Sequence, residues 1–177
     1  ADRGAVELGQ QRVHRHLRDG HGARRLLEER RRGRVQRQDE AGMRHSQQAI
    51  DALIEREKSR SVASHRIVLA GFSQGCAMTL HTGIRAPFKL AGLMGLSGYL
   101  PLGDLAQAEH QAANLDTPIF LAHGTYDPVV APERAEVSRA KLQELGYKVQ
   151  WHTYPMPHSV CPEEIADISQ FLQSVLV

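Results

Sequence analysis

The chain has 177 residues, 41% of them hydrophobic, and a formal net charge of +2 at pH 7. This length suits one domain with a substantial core, and the near-balanced charge gives no general reason to expect a nucleic-acid or anionic-membrane partner. Cys76 and Cys161 lack CxxC spacing, which favours neither a metal cluster nor a disulfide framework and fits a reducing compartment.

Apolar runs are short throughout the sequence. They reach about the length of IVLAGF, whereas a membrane span needs roughly 20 apolar residues. The first residues also lack the charged-then-apolar pattern of a signal peptide. We therefore expect a cytoplasmic protein without a membrane span.

The first quarter of the chain differs from the rest. Residues 1–44 contain 12 Arg against 7 Asp and Glu, whereas residues 45–177 contain 10 Lys and Arg against 13 acids. The stretch RRLLEERRRGRVQRQ has helix-forming residues but no continuous apolar face. Residues 1–38 are open to three interpretations: a disordered basic arm, a nucleic-acid-binding tail, or sequence unrelated to the fold, such as an out-of-frame translation. We favour the last, with no nucleic-acid partner.

From about residue 39 the pattern becomes regular. SQQAIDALIEREKSR predicts an amphipathic helix, with one apolar face formed by Ala49, Ile50, Leu53 and Ile54. HRIVLAGF predicts a strand buried on both faces, and a helix is expected from Gln74 to Ile84.

The second half of the chain continues the alternation. KLAGLMGLSG and TPIFLAHG predict two further buried strands, and Pro132 to Leu145 predicts a helix that Gly146 ends. YKVQWHTYP predicts a strand, and Pro162 opens a last helix. Strands that alternate with helices predict an α/β fold, a mostly parallel sheet with helices on both faces.

One serine lies between two glycines, directly after a predicted strand and directly before a predicted helix. In Gly71-Phe72-Ser73-Gln74-Gly75, a strained turn would expose the Ser73 hydroxyl, and both glycines would leave space that a side chain would crowd. The same five residues also fit an ordinary turn. The motif alone therefore does not decide between a nucleophile and a bystander.

An acid and a base follow Ser73 along the chain, in the order that a serine hydrolase with such a strand–turn–helix needs. HGTYDPVV places Asp127 after one predicted strand, and YPMPHSV places His158 after the next. In parallel sheets such loops meet at the carboxyl edge. We expect His158 to take and return the serine proton and Asp127 to orient the imidazole.

Four segments together resemble the carboxylesterase and acyl-protein thioesterase family of serine α/β-hydrolases: LAGFSQG, LSGYLP, PIFLAHGTYDPVV and WHTYPMPHSVCPEEIADISQFL. The resemblance covers about residues 39–177. It implies an α/β-hydrolase domain with Ser73 as nucleophile, Asp127 as acid, His158 as base and the Gln74 backbone N–H as an oxyanion donor. It implies no cofactor and no metal, and a small acyl ester or thioester as substrate, with an acylated protein and a homodimer left open as partners.

The resemblance stops at the front of the chain. The family's amino-terminal strands, and the HGLG-type loop that gives a second oxyanion donor, are not found in residues 1–38, so we expect these strands to be missing or replaced. Three alternatives stay open: a related hydrolase of lipid or dienelactone esters, a fragment impaired by an incomplete oxyanion hole, and an arginine-armed binding protein.

Overall fold

The computed structural model describes the backbone of residues 21–176 and the side chains of residues 40–176. The interpretation of residues 1–38 as an atypical arginine-rich segment depends on side chains outside these described residues, and it stays a prediction. The chain divides into two units, Ala1–Gly42 and Met43–Val177. The sheet and the candidate site belong to the second unit.

Helices and strands alternate as the sequence predicts. The helices are α1 (His21–Ser59), α2 (Gln74–Arg85), α3 (Gly103–Glu109), α4 (Pro132–Glu144) and α5 (Pro162–Leu176). The strands are β1 (Val68–Phe72), β2 (Gly92–Leu96), β3 (Ile119–Gly124) and β4 (Val149–Tyr154). Sequence reasoning missed the short α3 and the two 3-10 turns Ser64–Arg66 and Ala112–Asn114. Such short segments present too few residues to show a period.

The four strands lie side by side in chain order, β1-β2-β3-β4, and all three pairs are parallel. This confirms the predicted parallel sheet. The loops after β1, β3 and β4 leave the same edge and carry Ser73, Asp127 and His158, respectively. The topology therefore brings the three candidate residues to one end of the sheet.

Two apolar cores cover opposite faces of the sheet. Along β3, Ile119 and Leu121 belong to the core that contains α2 and α4, whereas Phe120 and Ala122 belong to the core that contains Phe171 of α5. Successive strand residues point to opposite faces, so this alternation confirms helices on both sides of the sheet. Within the described residues, no helix is long and apolar enough to cross a bilayer.

The predicted burial of β1 on both faces is wrong. Val68–Phe72 is half-buried or exposed along its whole length, because β1 has a sheet neighbour on one side only, namely β2, in the part of the chain that the structure describes. On α1, Ile54 is buried but Leu53 is 52% exposed. Between these elements lies an apolar groove of about 340 Å³, lined by residues of α1, β1 and α2.

Candidate active site

Ser73 occupies a sharp turn between β1 and α2. Its backbone has φ 57° and ψ −117°, a conformation that costs energy for a residue with a Cβ. The Ser73 N–H donates to Leu96 O at 2.8 Å, which ties the turn to the end of β2. The strand–turn–helix arrangement is therefore that of an elbow that presents a side chain at the sheet edge.

The two glycines of the elbow are not equivalent. A Cβ at Gly71 would lie 2.2 Å from backbone atoms of Gly75, whereas a Cβ at Gly75 would meet nothing within 4 Å. The expected crowding is confirmed for Gly71. It is wrong for Gly75, because that residue lines the open groove.

Asp127 is a buried carboxylate with several hydrogen-bond donors. Its Oδ1 accepts from the N–H groups of Val129 and Val130 at 2.8 and 2.9 Å, and its Oδ2 accepts from His158 Nδ1 at 2.7 Å. Burial raises the pKa of Asp127, but the hydrogen bonds from His158 and the two amides outweigh it and hold the pKa below its ordinary value. Asp127 is therefore ionised at neutral pH.

His158 lies between the acid and the elbow. Because a carboxylate only accepts, the 2.7 Å contact with Asp127 requires the proton on His158 Nδ1. The ring centroid of His158 lies 4.7 Å from that of Phe72, the residue before Ser73. The structure thus joins Asp127 directly to His158 and places His158 beside the elbow. Among the described residues, no hydrogen bond links the Ser73 hydroxyl to His158.

Gln74 is the first residue of α2. The first N–H groups of a helix have no acceptor within the helix and carry its positive end charge. The Gln74 N–H follows Ser73 directly, so it suits an oxyanion that forms on an acyl group attached to Ser73.

Two further ionisable residues belong to this region. His123 Nε2 lies 3.3 Å from Asp127 Oδ2. In the sequence, the position of His123-Gly124 directly before TYD is the signal that this histidine shapes the loop of the acid. Sequence reasoning missed Glu164, which is fully buried in the first turn of α5. Burial raises the pKa of Glu164 to about 7, although the Cys161 amide lowers it. A Glu two residues after a helix-opening Pro marks the start of a helix, but it does not signal burial.

Cys76 does not compete with Ser73 as a nucleophile. It is fully buried in the core on the α2 side of the sheet, and burial raises the pKa of its thiol to about 12. In residues 40–176 the structure also contains no group of three His, Cys, Asp or Glu side chains that could hold a metal ion.

Comparison with known proteins decides the family. The family model described as phospholipase/carboxylesterase matches residues 29–176. The chain belongs to this family. The match begins earlier than residue 39, the start estimated from the motifs, and the family resemblance seen in the sequence is confirmed.

Individual proteins of the family are similar to most of this chain. Acyl-protein thioesterase 1 of Yarrowia lipolytica is 44% identical over 139 residues, which cover 77% of this chain and 61% of the relative. The protein of the same name from Neurospora crassa is 46% identical over 139 residues, with 76% and 56% covered. The crystal structure of Arabidopsis thaliana SOBER1 has a TM-score of 0.72 at 26% identity and covers 76% of this chain and 65% of its own.

These comparisons confirm the α/β-hydrolase fold for the matched part of the chain. The chain spans about three fifths of the length of the curated relatives it matches, 61% for Yarrowia lipolytica and 56% for Neurospora crassa.

Proposed function

We propose that this chain is a serine hydrolase that cleaves carboxylic esters or thioesters through an acyl-serine intermediate on Ser73. The observation that carries the proposal is the 2.7 Å hydrogen bond between His158 Nδ1 and Asp127 Oδ2, next to an elbow that holds Ser73 at positive φ. Membership of the phospholipase/carboxylesterase family supports the same chemistry.

In the acylation step, Ser73 Oγ adds to the acyl carbonyl carbon while His158 Nε2 takes the hydroxyl proton. The carbonyl oxygen becomes an oxyanion that the Gln74 N–H binds, and Asp127 stabilises the imidazolium. The bond to the leaving oxygen or sulfur then breaks, and His158 gives its proton to that atom. The products are an alcohol or thiol and the acyl-serine.

In the deacylation step, water repeats the attack. His158 Nε2 takes a proton from the water as its oxygen adds to the acyl carbon, and the bond to Ser73 Oγ breaks as His158 returns the proton to that oxygen. A carboxylic acid leaves and the free serine is restored. A Ser–His–Asp site completes this cycle with its own side chains, so the proposal includes no cofactor.

Exposed apolar side chains next to the candidate triad support an acyl substrate. Tyr126 and Val129 are 70% and 66% exposed beside Asp127, Phe72 is 38% exposed before Ser73, and Val160 is 47% exposed after His158. Exposed apolar side chains gathered near one site mark a binding surface for apolar groups. Together with the thioesterase names of the relatives, this supports small acyl esters or thioesters and acylated proteins as substrates.

A cytoplasmic location is part of the proposal. Both cysteines, Cys76 and Cys161, are free, which agrees with a reducing compartment.

The test is covalent labelling with a fluorophosphonate probe, combined with hydrolysis of p-nitrophenyl butyrate. Wild-type chain should be labelled on the Ser73 peptide and should hydrolyse the ester, whereas Ser73→Ala should do neither. A site with one oxyanion donor is about 10² to 10³ slower than a complete one, so labelling is the more sensitive readout.

Ser169→Ala is the matched control, because Ser169 is an exposed serine on α5. It should behave as wild type. Equal labelling and equal rates in Ser73→Ala and wild type would remove Ser73 from the mechanism.

A further inference from the structure

His123, the penultimate residue of β3, is buried and held by a hydrogen bond from its ring. Its side chain is 1% exposed, and its Nε2 lies 2.9 Å from Val130 O. A carbonyl oxygen only accepts, so Nε2 carries a proton. Nδ1 is buried without a hydrogen-bond partner among the described residues, so a second proton there would have no acceptor. His123 therefore donates from Nε2 to Val130.

The same ring nitrogen lies close to the acid of the candidate triad. His123 Nε2 lies 3.3 Å from Asp127 Oδ2, the same oxygen that His158 contacts at 2.7 Å. Val130 closes this arrangement, because its N–H donates to Asp127 Oδ1 while its C=O accepts from His123. His123 is thus linked to Asp127 Oδ1 through Val130, and its ring nitrogen lies beside Oδ2.

The backbones of the acid and base loops are fixed to each other independently of His123's side chain. Thr125 N–H donates to Tyr154 O at 2.9 Å and Tyr126 N–H to Met156 O at 3.2 Å. A Cβ at Gly124 would lie 2.3 Å from Met156 O, so the two loops pack in direct contact. These contacts end at Tyr126, and the turn from Asp127 to Val130 is held instead by the bonds of Val130 to Asp127 Oδ1 and to His123 Nε2.

We propose that His123 is a positioning residue of the triad: its Nε2–H holds the Val130 carbonyl, and the Val130 N–H in turn holds Asp127 Oδ1, so that Oδ2 stays on His158 Nδ1. The proposal rests on the proposed function for its catalytic meaning. His123 contacts neither Ser73 nor the site of the acyl group, and it keeps its proton throughout the reaction. Without the His123 donor, Val130 would lose the contact that holds its amide on Asp127 Oδ1, the carboxylate would be held less firmly, and the His158 imidazole would lose its fixed tautomer.

Three substitutions separate a missing donor from a damaged core. The amide nitrogen of Gln lies about as far from the backbone as Nε2 of His, and that of Asn about as far as Nδ1. Leu fills similar space without a donor. His123→Gln should therefore preserve the alignment, whereas His123→Asn and His123→Leu should lose it. Thermal unfolding of each variant shows whether it folds, and the Gln–Asn pair remains decisive if the Leu variant does not fold.

The first readout is the far-downfield proton resonance of the hydrogen bond between His158 and Asp127, assigned by its loss in His158→Gln. It should be present in wild type and His123→Gln and absent or displaced upfield in His123→Asn and His123→Leu. The second readout is ester hydrolysis. In the latter two variants kcat should fall by about 10 to 10² with KM unchanged, as expected when a supporting hydrogen bond to a site residue is lost.

An unchanged resonance in His123→Asn or His123→Leu, or no such resonance in wild type, would overturn the proposal. The resonance does not depend on turnover. A wild-type chain that shows the expected series of resonances but neither labels nor hydrolyses esters would therefore contradict the proposed function alone.

Discussion

The sheet has a closed side, formed by β3 and β4, and an open side, formed by β1. The two sides differ in how completely their polar and apolar groups are covered. At the ends of β3 and β4, Asp127 receives donors on both carboxylate oxygens and the acid and base loops share backbone hydrogen bonds. At β1, the strand is half-buried or exposed along its length and faces an apolar groove. The candidate site spans both environments, because its acid and base lie on the first side and Ser73 on the second.

This difference separates two contributions to the proposed catalysis. The closed side prepares a base of defined tautomer, and the open side presents the nucleophile and the oxyanion donor. Substitutions on each side separate the two contributions.

Asp127→Asn should abolish most of the activity while leaving the fold intact. An amide at this position would present N–H to His158 Nδ1 and favour the wrong tautomer, and a rate loss of about 10⁴ in kcat is expected for such a change. Ester hydrolysis and circular dichroism measure the two properties. Asp104→Asn, at an exposed position of α3, should match wild type. A loss smaller than tenfold in Asp127→Asn would mean that the closed side does not prepare the base.

Gly71→Ala should destabilise the elbow far more than Gly75→Ala. The new Cβ at residue 71 would lie 2.2 Å from Gly75 backbone atoms, and overpacking at a site that cannot relax costs on the order of 3 kcal/mol. At Gly75 the Cβ meets nothing within 4 Å, and Ala in a helix is favoured by about 0.5 to 1 kcal/mol. Urea unfolding of the two variants measures the difference. Equal free energies of unfolding would show that the elbow is not packed as tightly as the structure has it.

Sequence reasoning predicted the elements of the second unit well because glycine and proline mark their ends. Pro132 and Pro162 begin helices, and Gly146, at φ +92°, ends one. The order of Ser73, Asp127 and His158 was equally readable, since parallel strands bring successive loops to one edge. These features depend on local conformation and on topology, and both can be inferred from the residue types and their order along the chain.

Other features depend on neighbours that a linear pattern does not contain. IVLAGF has the composition of a buried strand, but the burial of β1 is set by how many strands flank it. The approach of two imidazoles, His123 and His158, to Asp127 Oδ2 depends on side-chain rotamers across two loops. The isolation of Glu164 depends on what α5 packs against, and nothing in EEIADISQ distinguishes its buried glutamate from the exposed Glu163.

Glu164 makes stability on the closed side depend on pH. Its pKa is raised to about 7 in the folded chain, so folding opposes its ionisation, and stability falls as pH rises from about 4.5 towards 7 and then stays level. Glu164→Gln should therefore gain on the order of 2 kcal/mol relative to wild type between pH 5 and pH 8. Tyr154 and Cys161 face Glu164, and burial keeps the raised pKa of Tyr154 above this range.

Urea unfolding at the two pH values measures this change for Glu164→Gln and for Glu163→Gln. Glu163 is exposed and its pKa is lowered, first by its own backbone N–H. Its contribution is lost only on acidification below its ordinary pKa, so Glu163→Gln should track wild type between pH 5 and 8. Parallel pH dependence of all three proteins would show that Glu164 is not held in a dry environment.

The smallest expected effect concerns the open side. In the part of the chain that the structure describes, β1 and β4 both pair with one strand only, but the apolar groove lies beside β1, and an exposed strand edge beside apolar surface promotes association of chains. Ala70→Lys places a charge at an exposed position of β1. It should move the midpoint of association to a concentration about tenfold higher, which corresponds to close to 1.4 kcal/mol.

Gln150→Lys places the same charge on β4, at the other end of the sheet, and should leave association unchanged. Sedimentation velocity across a concentration series compares the two variants with wild type. If Gln150→Lys weakened association and Ala70→Lys did not, the chains would associate through the edge of β4, and the predicted difference between the two sides would be wrong.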